Sequence, residues 1–239
     1  MAPEVYQPSE ADRRPLASRS WKMSGWAAHQ LAIRNVSANS ISVAGMVCGV
    51  LAGYCFAATD QVSIPAVAWI AGGVLVQARL LANLLDGMVA IESGKASRVG
   101  ELFNEVPDRV SDAAIFIGLG HAAGGLPWLG DLAAVLALFV AYVRAAARIA
   151  GAPQDYAGPM AKQHRMFLVT VLALLSAFVP ADQAEHWLGI RVGWASLVLG
   201  LIVVGCVLTA IRRLLRAGHF LTAGEATKPS PTIDGGIQA

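Results

Sequence analysis

A run near the middle of this chain sets oxygen-bearing side chains at helical intervals inside otherwise apolar sequence. Asn83 and Asp86 lie three residues apart; Asn104, Asp108 and Asp112 follow at intervals of four, with Glu105 beside them. On α-helices such intervals bring side chains onto one face. Two of these faces turned towards each other could jointly hold divalent cations, since Mg²⁺, Mn²⁺ and Ca²⁺ all accept oxygen donors. Acids and amides in a membrane helix are costly unless they face a partner, a wet cavity or an ion, and so they mark function.

The elements that must position them are membrane helices. Of 239 residues, 56% are hydrophobic and only 14% charged, against about a quarter charged in a soluble domain. Apolar windows long enough for a bilayer core of about 30 Å recur near residues 41–59, 64–91, 100–125, 129–151, 166–181 and 192–212. They predict an all-α integral membrane protein with six transmembrane helices. Residues 16–36 interleave Trp21, Trp26, Leu31 and Ile33 with Arg19, Lys22 and Arg34, the composition of a helix lying in the membrane interface. Residues 1–15 read as a disordered tail, 16–216 as one membrane domain and 217–239 as a flexible tail.

The net charge of +2 says little, but its distribution is one-sided. Arg13, Arg14, Arg19, Lys22 and Arg34 precede the first span. Lys95 and Arg98 separate the second from the third, Arg148, Lys162 and Arg165 the fourth from the fifth, and Arg212, Arg213 and Arg216 close the sixth. The positive-inside rule then puts both termini and these loops in the cytoplasm, as in a bacterial inner membrane. Nothing in this pattern calls for nucleic acid. Cys48, Cys55 and Cys206 lie in apolar stretches without metal-ligand spacing and read as buried small hydrophobes. Gly45, Gly49 and Gly53 make a stripe on which a neighbouring helix can pack closely.

The central run resembles the signature of the CDP-alcohol phosphotransferase (phosphatidyltransferase) family, D-x2-D-G-x2-A-R-x8-G-x3-D-x3-D. Asp86, Gly87, Ala90, Gly100 and Asp108 match in identity, and every interval fits. Asn83 and Asn104 stand where the family has aspartate, and Ile91 where it has arginine. The matched positions therefore carry two negative charges where the family carries four. The stretch from Ala38 to Ser42 looks like the family's opening of its first helix, without the proline. Tyr142 to Ala145 and the basic loop from Gly158 to Met166 are similar to its acceptor region.

The resemblance implies a six-helix enzyme that moves a phosphatidyl or similar group from a CDP-alcohol, with CDP-diacylglycerol the favoured donor, to a hydroxyl acceptor and releases CMP. It assigns Asn83, Asp86, Asn104 and Asp108 to a Mg²⁺ or Mn²⁺ site that would also admit Ca²⁺, with Glu105 and Asp112 as additional oxygens. One ion held by Asp86 and Asp108 with amide help, and a second recruited by the donor's pyrophosphate or by Glu105 and Asp112, is the arrangement expected. Asp108 is the general base by position. Asn39, Gly87, Ala90 and Gly100 fall to the nucleotide, and Arg144, Arg148 and Arg165 to a phosphorylated acceptor, because a guanidinium fork suits phosphate oxygens. Membrane lipids and a second copy of the chain, as a homodimer, complete the implied partners. Two rivals use the same acids: a non-catalytic homologue that binds CDP-lipid or a partner, and a cation transporter. The transporter reading lacks the pseudo-repeat and broken helices common in such proteins.

Overall fold

A computed structural model describes residues 22–94, 98–180 and 192–226. The expected tail at 1–15 and the end of the chain beyond 226 lie outside the described residues. The order is α1 (Lys22–Ile33), α2 (Ala38–Ala57) followed by a 3-10 turn (Ala58–Asp60), α3 (Pro65–Glu92), α4 (Arg98–Gly120), α5 (Pro127–Ile149), α6 (Lys162–Phe178) and α7 (Trp194–Ala226). No strand occurs among the described residues.

Four of these helices are long and apolar enough to cross a membrane: α2 with its 3-10 extension, α3, α5 and α7. The protein is an integral membrane protein on that ground. The remaining two expected spans differ in kind. With 23 residues, α4 rises about 34 Å at 1.5 Å per residue, but it carries Glu101, Glu105, Asp108, Arg109 and Asp112. With 17 residues, α6 is the shorter of the two.

Local sequence sets the ends. Pro65 and Pro127 open α3 and α5 at the first turn, where a missing N–H costs nothing. Ser37 caps α2, its hydroxyl accepting from the Ser40 N–H at 3.0 Å. Gly94, at φ 65°, ends the turn after α3 in a conformation that favours glycine. Helix α7 runs to Ala226, past the boundary expected at residue 216, because no proline interrupts it and Leu214, Leu215, Phe220 and Leu221 keep it apolar.

Helix α2 packs along both α3 and α4. Its glycine stripe explains the approach: a Cβ on Gly45 would sit 2.9 Å from Ala82 Cβ, and one on Gly49 2.6 Å from Ser111 Cβ. Where lipid is as apolar as leucine, close packing of small residues supplies the association that hydrophobicity cannot. The core is built on Phe56, Trp69, Ile115, Phe116, Leu172 and Leu199. Helix α6 lies against α3, and α7 against α5. Helix α1 packs on α3 and leaves Met23, Trp26 and Ile33 exposed, an apolar edge suited to a membrane surface. Cys206 is buried, whereas Cys48 and Cys55 are half-buried.

Candidate active site

Four helices bring polar side chains to one end of the bundle: the start of α2, the second half of α3, the first half of α4 and the start of α6. A small cavity opens there, lined by Ser42, Gly45, Met46, Arg79, Asn83, Asp86, Asn104, Pro107, Asp108 and Ser111. Asn83, Asp86, Asn104 and Asp108 are thus brought together from α3 and α4.

Asp86 is buried and surrounded by neutral donors. The Ser42 hydroxyl donates to its Oδ2 at 2.6 Å, the Gly87 N–H to Oδ1 at 2.6 Å, and Asn104 Nδ2 to Oδ1 at 3.4 Å. Among the described residues Asp86 makes no ion pair. Asp108 has the opposite surroundings. Arg79 Nη2 reaches its Oδ1 at 3.0 Å, Lys162 Nζ pairs with Oδ2, and Asn83 Nδ2 lies 3.5 Å from the same oxygen. Lys162 also donates to Asn83 Oδ1 at 3.2 Å. Asp112 sits one turn deeper, between Arg79 Nη2 at 2.6 Å and Arg165 Nη2 at 3.3 Å.

Glu105 follows Asn104 in the chain but not in space. Its Oε2 accepts from Arg109 at 2.8 Å and its Oε1 from Arg144 of α5 at 2.7 Å, outside the cavity lining. Adjacent residues on a helix point about 100° apart, so Glu105 faces α5 while Asn104 faces α3. Arg144 also lies over the Tyr156 ring, 5.1 Å from its centroid. Arg148 is exposed on the last turn of α5. Arg165 is buried; besides Asp112 it donates to the Met160 carbonyl at 3.1 Å. Gly87, Ala90 and Gly100 are half-buried on α3 and α4, and Asn39 is half-buried on the first turn of α2.

Sequence reasoning missed Arg79, Ser42 and the role of Lys162. Arg79 stands one turn before Asn83 inside an apolar helix, an interval that places it on the same face. That interval was the available signal.

The donor set can be weighed against a divalent ion. Among the described residues no three His, Cys, Asp or Glu side chains converge on one point. An ion here must therefore use amide oxygens. Asp86, in no ion pair among the described residues, and the Asn104 carboxamide beside it fit one such ion, whereas Asn83 Oδ1 already accepts from Lys162. Asp108 is already neutralised by two cations, so the fit does not extend to a second.

The CDP-alcohol phosphatidyltransferase profile matches residues 35–214, which include every side chain of the cavity. The chain belongs to the CDP-alcohol phosphatidyltransferase family. It is similar to archaetidylinositol phosphate synthase of Pyrococcus horikoshii, at 27% identity over 73% of this chain and 81% of that protein. It is also similar to phosphatidylinositol phosphate synthase of Mycolicibacterium smegmatis, at 30% identity over 60% of this chain and 63% of that one. Inner membrane protein YnbA of Escherichia coli is 26% identical over 75% of this chain and 83% of its own length. Among solved structures, Mycobacterium tuberculosis phosphatidylinositol phosphate synthase (PgsA1) with CDP-DAG bound superposes with a TM-score of 0.65 at 22% identity, over 82% of this chain and 94% of that one. The same synthase in complex with manganese and citrate gives 0.65 at 23% identity, over 82% and 88%. At these identities the structures establish a common fold. This phosphatidyltransferase is thus a membrane enzyme of phospholipid synthesis by family, with the matched signature positions at the cavity end of its bundle.

Proposed function

We propose that this enzyme transfers a phosphatidyl group from CDP-diacylglycerol to the hydroxyl of a phosphorylated polyol, releasing CMP at the cytoplasmic end of the bundle. The observation that carries the reading is the meeting of Asp86 and Asp108 on one cavity, from α3 and α4. The similarity to archaetidylinositol phosphate synthase and phosphatidylinositol phosphate synthase supports an acceptor of that class. The one-sided run of basic residues before, between and after the helices, Arg34, Arg148 and Arg212 among them, supports the orientation.

Mg²⁺ or Mn²⁺ held by Asp86 with Asn104 would neutralise charge on the departing nucleotide phosphate. Asp108 then takes the proton of the attacking hydroxyl. Its Oδ2 is shared with Lys162, so the ammonium must swing to the acceptor's phosphate before that oxygen can act as a base. Arg144 and Arg148 receive the same phosphate from α5, and Arg165 holds the start of α6 against Asp112 behind them. Asn39, Gly87, Ala90 and Gly100 flank the nucleotide.

An acceptor screen on purified protein with labelled CDP-diacylglycerol and Mg²⁺ or Mn²⁺ tests the reading through CMP formed. A phosphorylated polyol, such as an inositol or glycerol phosphate, should support turnover, and Asp108→Ala should abolish it. Full CMP release by Asp108→Ala would remove the assignment.

A further inference from the structure

The cavity divides into two halves of different charge. Around Asp86 every hydrogen-bond donor is neutral. Around Asp108 and Asp112 the charged donors are Arg79, Lys162 and Arg165, with Asn83 Nδ2 the neutral one. Two of these cations line or touch the matched positions themselves: Arg79 is 1% exposed and Lys162 5%. A buried guanidinium cannot shed its proton, so Arg79 brings a permanent positive charge to a site where two of four family carboxylates are carboxamides.

We propose that Arg79 and Lys162 are resident cations that take the place of a second divalent ion, so that this site binds no more than one. The inference rests on the proposed transfer reaction for the identity of the donor. Three observations converge on it. A second ion on Asp108 would have to displace Lys162 from Oδ2 and Arg79 from Oδ1, and would then sit beside the guanidinium it displaced. The amide of Asn83 turns its Oδ1 to Lys162 and its Nδ2 to Asp108, an arrangement matched to a cation from the protein. Finally, Arg79 keeps Nε and Nη1 without a hydrogen-bond partner among the described residues. Those N–H groups suit an anionic oxygen, which in the transfer reaction is a phosphate of the CDP-linked donor.

The test counts ions rather than turnover. Purified full-length protein in detergent is titrated with Mn²⁺, free ion being read by electron paramagnetic resonance, with and without CDP-diacylglycerol. CMP release is followed in parallel. The wild type should take up no more than one Mn²⁺ per chain in both conditions. The variant combining Arg79→Met, Asn83→Asp and Asn104→Asp should take up a second, and Arg79→Lys should not. Two bound Mn²⁺ in the wild type overturns the proposal, and that count decides it even where the triple variant fails to fold. A folded triple variant that still takes up one overturns the assignment to Arg79. Two ions with normal CMP release sinks this inference and leaves the transfer reading standing; one ion without CMP release does the reverse.

Discussion

Arg79 and Asp112 meet across the seam between α3 and α4, Nη2 to Oδ1 at 2.6 Å, with both side chains almost wholly buried. The same nitrogen reaches Asp108 Oδ1 at 3.0 Å and the Asp108 carbonyl at 3.2 Å. One guanidinium group therefore ties two successive turns of α4 to α3 and sets the distance between the halves of the site. Burying ions is costly in itself; what holds such a cluster is that each charge has a partner and each partner has more than one bond.

Removing two members together should therefore hurt less than the sum of removing each alone. Arg79→Met leaves Asp108 and Asp112 short of a cation, and loss of one partner of a buried pair costs about 3–5 kcal/mol. Asp112→Asn leaves Arg165 without its carboxylate and Arg79 with Asp108 alone, at a similar cost. The double variant should lose less than the sum of the singles by about 1 kcal/mol or more. Thermal unfolding of the four proteins in detergent measures this. Strict additivity would show that the pair is not coupled.

The intervals of Asn83, Asp86, Asn104, Asp108 and Asp112 were legible because helical periodicity fixes which residues share a face. Glu105 was expected as a further ligand on sequence proximity, yet its angular offset from Asn104 turns it to Arg144. Arg79 and Lys162 were hidden for a different reason. Along a sequence, an arginine in an apolar helix and a lysine at a loop end look like topology signals, and only packing of α3, α4 and α6 shows that they converge on Asp108. Membrane crossing was legible for α2, α3, α5 and α7, where hydropathy is unbroken. It was blurred in α4, since the charges that make the site also dilute the apolar signal. The extent of α7 was underestimated because hydropathy falls at Arg212 and Arg213 while helix propensity does not.

Gly49 is where α2 touches α4, against Ser111, which directly precedes Asp112 and lies about one turn after Asp108. A methyl group there would stand 2.6 Å from Ser111 Cβ and 3.0 Å from its Cα, so α4 must shift. Gly49→Ala should cost about 1–3 kcal/mol from overpacking. Gly200→Ala, in a helix where nothing lies within 4 Å of the added atom, should leave stability unchanged or slightly raised. Melting temperatures of the two variants, with CMP release measured in each, check the pair. Equal effects at both positions would refute the close-approach argument.

Asp86 offers a sharper separation of folding from chemistry. Its carboxylate is buried, held by three neutral donors and, among the described residues, in no ion pair. Asp86→Asn removes an uncompensated charge while keeping the shape, so the variant should melt at or above the wild-type temperature. It should nevertheless lose CMP release by about 10²-fold or more, the scale on which positioned carboxylates and metal ligands act. Active sites are commonly destabilised in this way. An Asp86→Asn protein that unfolds early but retains turnover would mean that the side chain is structural.

Arg144 distinguishes the acceptor from the donor. It reaches out of α5 to Glu105 at 2.7 Å and lies over Tyr156, so it is held in place by groups that do not line the cavity around Asp86. If it receives the acceptor's phosphate, Arg144→Met should raise the acceptor KM by about 10–100-fold, the equivalent of one charge-assisted hydrogen bond of about 1.5–3 kcal/mol. The KM for CDP-diacylglycerol should stay within about twofold, because the proposed function places the nucleotide against α3 and α4. Arg144→Lys should recover part of the loss, since a point charge replaces a planar fork. Glu105→Gln frees the guanidinium from one carboxylate and should lower the acceptor KM. Steady-state kinetics with each substrate varied in turn measures all three variants. A rise in donor KM with an unchanged acceptor KM would move Arg144 to the nucleotide side of the site.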